Sequence, residues 1–129
     1  MAYITIVAML ALVQYIYFSI SVGRARGRHG IDAPATSGDE VFERFFRAHQ
    51  NTMEQLIVFL PAIFAAGYFG HALSAAGLGV VYLVGRFVYF RQYVTAPESR
   101  GPGMVITMLA NLGLVGMALV MATRTALMG

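Results

Sequence analysis

The 129-residue chain contains no cysteine, which excludes a disulfide, a thiolate metal site and a cysteine nucleophile. Any thiol chemistry must therefore use a thiol carried in by a ligand. Lysine is absent as well, and all nine basic residues are arginine. Arginine presents carboxylates with a fixed planar fork and stays charged, whereas lysine is a loosely directed point charge; an arginine-favouring genome accounts for the same bias. Charge of either sign is scarce, at 12% of residues, about half the usual share of a soluble domain. The net charge of +3 is small and no basic stripe repeats along the chain, so nothing points to nucleic acid. No metal is expected either.

What is present is apolar: hydrophobic residues make up 58% of the chain. A soluble protein of this size leaves roughly a third of its unfolded area exposed after folding, too much for such a composition to hide. The bilayer must be the solvent for much of it. A spanning helix needs about 20 mostly apolar residues, and four such segments are read, at about 2–23, 41–70, 74–95 and 103–125. The first has no charge and only Gln14 strongly polar, and it lacks the basic start and cleavage site of a signal peptide, so it is read as a retained helix. Gly23 to Val41, containing RARGRHG and TSGDE, reads as a polar loop. The second helix opens on the charged stretch VFERFFRAHQNTMEQ, with Asp39 or Ser37 as candidate cap and Glu40 and Glu43 favourable near its positive end. Pro61 is expected to kink it, as membrane helices tolerate. GHALSAAG is an uncharged turn, with His71 an ordinary interfacial residue, and APESRGPG is the last loop. The expected fold is a single all-α domain, an integral membrane four-helix bundle.

Orientation follows from arginine. The first and third connections and their flanks carry Arg24, Arg26, Arg28, Arg44, Arg91 and Arg100; the second carries none, and the C-terminus only Arg124. Positive-inside counting places the first and third loops in the cytoplasm and both termini outside, with a bacterial inner membrane the expected location.

Ionisable groups at membrane depth cost several kcal/mol and normally face a cavity or a partner. Arg47, Asn51 and Glu54 recur at i, i+4 and i+7 on the second helix, one continuous face. Tyr82, Arg86, Tyr89 and Tyr93 recur at i, i+4, i+7 and i+11 on the third. A plain structural reading pairs Glu54 with Arg86 as a buried ion pair and makes the tyrosines interfacial anchors. It leaves an excess of donors, in Arg26, Arg47, Asn51, Tyr89, Tyr93 and Arg100, with no carboxylate for most of them. That set suits a ligand with two carboxylates and several amides, held by charge-assisted hydrogen bonds.

The segments FERFFRAHQNTMEQ and GVVYLVGRFVYFRQY resemble the membrane-associated proteins in eicosanoid and glutathione metabolism, the MAPEG family. The similarity runs from about Tyr17 to Gly101. R-A-H-x-N-x-x-E (Arg47 to Glu54) is similar to the glutathione transferase and prostaglandin synthase branches, and Y-x-x-x-R-x-x-Y-F-x-x-Y (Tyr82 to Tyr93) to the leukotriene synthase branch. The resemblance implies a homotrimer with glutathione, as co-substrate, in each cleft between subunits. It implies that Arg47, Asn51, Glu54, Tyr89 and Tyr93 bind the tripeptide from one subunit. Arg26, with His49 as a further candidate, would reach in from the neighbour, and Arg100 would activate the thiol.

Elementary chemistry supports that role for Arg100. A glutathione thiol resembles a free cysteine, with a pKa of about 8.5 and only a few per cent thiolate at neutral pH. An adjacent guanidinium stabilises the anion. The expected activity is transfer of glutathione to lipophilic electrophiles arriving through the membrane lipids, with glutathione peroxidase activity on lipid hydroperoxides. The alternative is a non-catalytic lipid-binding or scaffold protein of the same fold, which has no need of a thiol-activating arginine. A small-molecule exporter would require a charged residue deep in the first helix, and none is there. Three positions depart from the family's specialised branches: Gln55 replaces a Tyr and Gly27 an Arg of the leukotriene branch, and Gly101 a Ser of the prostaglandin branch. These departures favour a general conjugating enzyme over an eicosanoid synthase.

Overall fold

A computed structural model describes the whole chain, Met1 to Gly129. It consists of α1 (Ala2–His29), α2 (Glu40–Phe69), α3 (Ala72–Thr95), a 3-10 turn (Pro97–Ser99) and α4 (Gly101–Met128), without a strand. All four helices are long and apolar enough to cross a membrane. In lipid a helix satisfies its own backbone polar groups, which is why spans of this composition take that form. The protein is an all-α integral membrane bundle. α2 and α3 form its centre, and α1 and α4 each pack on both.

The helix ends explain where the sequence reading needs correction. α1 does not stop near residue 23; the first part of the expected polar loop, Gly23 to His29, is its last turns. Alanine and arginine are good helix formers, and Arg26, Arg28 and His29 sit favourably at the negative helix end. Gly30, at φ 66°, terminates it in the left-handed conformation that glycine adopts without penalty. α2 starts where expected: Asp39, not Ser37, is the cap, its Oδ1 accepting the Phe42 N–H at 2.9 Å. The helix runs unbroken through Pro61. α3 starts at Ala72 because His71 is a cap, its Nδ1 accepting the Ser74 N–H at 3.2 Å. α4 begins beside Pro102, whose missing N–H is harmless in a first turn.

The largest core cluster joins Ile4, Val7 and Ala11 of α1 with Phe59 and Ile63 of α2, Tyr82 of α3 and Leu114 of α4. A smaller one, Phe18, Ala48, Tyr89 and Phe90, fills the opposite end. Small residues bring the helices close: Gly103 packs on the backbone of Tyr89, and Gly85 on Thr107. Ile6, Leu10 and Val13 of α1 and Leu109 and Leu112 of α4 point outward. Outward apolar side chains are the rule where lipid is the solvent.

Candidate functional site

The antiparallel order brings the start of α2, the end of α3 and the start of α4 to one end of the bundle. The two polar stripes meet there. An open groove of about 460 Å³ is lined by Arg47, Gln50, Asn51 and Glu54 of α2, Tyr89 and Tyr93 of α3, and Arg100 and Met104 at the start of α4. Arg47, Asn51, Glu54, Tyr89, Tyr93 and Arg100 are therefore brought together. Gln50 and Met104 were missed, though helical spacing points to both: Gln50 lies three residues after Arg47 and Met104 four after Arg100.

The groove's charged groups are loosely engaged. Arg47 is exposed, its Nη2 3.8 Å from Glu43 Oε1. Glu54 is exposed and belongs to none of the protein's ion pairs. Tyr89 and Tyr93 stack with ring centroids 5.6 Å apart. The Arg100 guanidinium lies 5.8 Å from the Tyr93 ring centre, and its Nη1 donates to the Pro97 carbonyl at 2.9 Å. Two donors, Arg47 and Arg100, thus have a carboxylate or backbone partner nearby, yet neither is sequestered in a tight pair.

The Glu54–Arg86 ion pair is not formed. Arg86 is buried level with Asn51 and Thr52, and its Nη2 donates to Asn51 Oδ1 and to Thr52 Oγ1, each at 2.8 Å. The guanidinium also lies on the Tyr89 ring, 4.3 Å from its centre. Glu54 faces the groove instead. Tyr82, read as part of the same stripe, is core, stacked on Phe59 at 3.8 Å.

Arg26 and His49 do not line the groove. Arg26 Nη1 donates to the Ala35 carbonyl at 2.6 Å, and its guanidinium covers Phe42 at 4.9 Å. His49 faces α1, with Nε2 2.8 Å from Ser19 Oγ and its ring stacked on Tyr15 at 4.6 Å.

A second, more enclosed cavity of about 370 Å³ adjoins the groove and shares Asn51 and Met104 with it. Its walls are largely apolar (Val58, Met108, Leu112, Val115), with Arg86, Thr107 and a hydrogen-bonded amide pair, Asn111 Nδ2 donating to Gln55 Oε1 at 3.1 Å. Gln55, one of the departures noted above, thus turns toward α4. A charged, donor-rich groove opening beside an apolar chamber can hold a polar anion next to a lipophilic molecule.

The MAPEG family model matches residues 4–120. An uncharacterized protein of Synechocystis sp. is 40% identical over 110 residues, 85% of this chain and 80% of that protein. Microsomal glutathione S-transferase 2 of Mus musculus is 39% identical over 117 residues, 87% of this chain and 80% of its own length. Leukotriene C4 synthase of Cavia porcellus is 35% identical over 135 residues, 98% and 90% of the two chains.

Proposed function

The chain belongs to the MAPEG family, and we propose that it is a membrane-bound glutathione transferase joining the glutathione thiol to lipophilic electrophiles. The observation that carries this reading is the convergence of Arg47, Asn51, Glu54, Tyr89, Tyr93 and Arg100 on one groove beside an apolar cavity. The relatives named microsomal glutathione S-transferase 2 and leukotriene C4 synthase support it. Glutathione carries two carboxylates, an ammonium group, two amides and a thiol. Arg47 suits a carboxylate, Glu54 the ammonium group, and Asn51, Tyr89 and Tyr93 the remaining polar groups. Arg100, which lines the groove four residues before Met104, a residue shared with the adjoining cavity, is the group we assign to the thiolate.

The chemistry needs no protein nucleophile. A guanidinium beside the thiol favours the anion, and each pKa unit of lowering corresponds to about 1.4 kcal/mol. With an aryl halide the thiolate forms a C–S bond and halide leaves. With a lipid hydroperoxide, two glutathione molecules become the disulfide while the peroxide becomes an alcohol and water. Binding both partners in adjoining spaces supplies proximity, and Arg100 supplies electrostatic stabilisation. The working unit in this reading is a homotrimer. Arg26 is assigned to a neighbour's groove, while His49 is engaged with Ser19 and Tyr15 of α1. The groove faces the cytoplasm of a bacterial inner membrane with both termini outside, the orientation that the arginine distribution favours.

The test is turnover of glutathione with 1-chloro-2,4-dinitrobenzene, and with a lipid hydroperoxide, by the purified protein in detergent. Conjugation that is lost in Arg100→Ala while glutathione still binds is expected. Glutathione binding without turnover of either substrate would establish the scaffold reading instead.

A further inference from the structure

Arg86 is 1% exposed inside a membrane-spanning helix, yet it has no carboxylate partner. Intramembrane charges normally carry one. Both of its acceptors are neutral, and Thr52 Oγ1 donates its own hydrogen bond to the Ala48 carbonyl at 3.0 Å. The positive charge therefore stays uncompensated, in surroundings where charge is felt more strongly than in water. A simple brace between α2 and α3 needs no ion: a neutral amide donor meets the same two oxygens without the cost of burying a charge.

We propose that Arg86 is the positioning residue of the groove: it fixes the Asn51 amide with its nitrogen toward the ligand and supplies, from behind, the third positive charge that a doubly carboxylated thiolate requires. Arginine has no acceptor, so the end of the amide that it holds must be the oxygen. Asn51 also lines the groove, and its NH2 group is left as the donor facing it. The charges then match. Glu54 answers the ligand's ammonium group, while Arg47, Arg86 and Arg100 answer two carboxylates and a thiolate. Arg86 lines the adjoining cavity and not the groove, so it acts on glutathione through Asn51 and the Tyr89 ring at 4.3 Å. This inference rests on the glutathione reading and names the residue that orients and charges that same site.

The experiment is glutathione affinity by titration calorimetry on the detergent-solubilised protein and its Arg86→Lys, Arg86→Gln and Arg86→Met variants, with helix content and Tm recorded for each. Lysine keeps the charge, glutamine keeps a donor without charge, and methionine keeps neither. Affinity is expected to fall in the order Arg, Lys, Gln, Met, with Gln about tenfold or more weaker than Lys. Asn51→Ala is expected to cost about tenfold in the unaltered protein and almost nothing more in the Arg86→Met background, the non-additivity of groups that act as a unit. A merely structural residue would lower Tm without this order and with additive effects. A folded Arg86→Met protein that binds glutathione within about twofold of the unaltered one overturns the proposal. If the methionine variant does not fold, equal affinity of the Gln and Lys variants overturns it. Absence of glutathione binding by the unaltered protein overturns the proposed function, and this inference with it.

Discussion

Gly103→Ala is a small change with a large expected consequence. A Cβ at this position would stand 2.5 Å from Tyr89 Cα and 2.7 Å from Tyr89 Cβ, on the backbone of α3 where no side chain can swing away. Ordinary contact begins at 3.4 Å, so α4 must recede from α3 by about 1 Å. The seam has little room to rotate instead, because a Cβ on Gly85 would already meet Ile106 Cγ2 at 2.8 Å and the Thr107 nitrogen at 2.9 Å. Overpacking of this kind costs about 1–3 kcal/mol. The displacement also reaches the groove, since Tyr89 lies on one side of the contact and Met104, next to Gly103, on the other. A misplacement of about 1 Å can cost about 10²-fold in rate. The assay pairs a thermal melt followed by circular dichroism with conjugation of glutathione to 1-chloro-2,4-dinitrobenzene. Gly77→Ala is the control, because a Cβ there meets nothing within 4 Å. Gly103→Ala is expected to melt lower than the control and to turn over at least about tenfold more slowly. Equal Tm and equal turnover in the two variants would refute the account of the α3–α4 seam.

Other outcomes follow from the site. Arg100→Ala is expected to shift the pH–rate profile upward: without the guanidinium the thiol ionises near its free value of about 8.5, so activity lost at neutral pH returns as pH rises. A profile that falls uniformly, with no recovery at high pH, would remove thiolate stabilisation from the role of Arg100. Glu54→Gln is expected to weaken glutathione about tenfold but to leave an analogue lacking the ammonium group unaffected, a difference read by titration; equal losses for both ligands would place the ammonium group elsewhere. Breaking the Asn111–Gln55 bond from one side, by Asn111→Leu or Gln55→Leu, leaves a polar group unpaired and is expected to cost about 1–2 kcal/mol, with the double variant recovering part of it in a thermal melt.

The spans were legible in the sequence because lipid imposes one demand on every residue of a segment: about 20 apolar positions in a row are hard to mistake. The ends were less so. Arg24, Arg26 and Arg28 read as loop residues by polarity, yet their aliphatic stems and helix propensity let α1 continue to Gly30. His71 lies in an uncharged turn, and its capping bond to Ser74 depends on a local geometry that polarity does not encode. The groove was visible through periodicity, since Arg47, Asn51 and Glu54 share a helix face whatever the partner. The partner of Arg86 was not, because charge complementarity pointed to Glu54 while the level at which α3 packs on α2 chose Asn51 and Thr52. Register between helices is set by packing, as where Gly85 meets Thr107 and Gly103 meets Tyr89, and no stripe on a single helix reveals it.

The most direct test of the central claim is the ultraviolet difference spectrum of glutathione added to the purified protein at neutral pH, with proton release recorded alongside. The account predicts a thiolate absorbance and a released proton that saturate together as the groove fills, and that vanish in Arg100→Ala although the tripeptide still binds. Saturable binding with the thiol still protonated, or no binding at all, would contradict it.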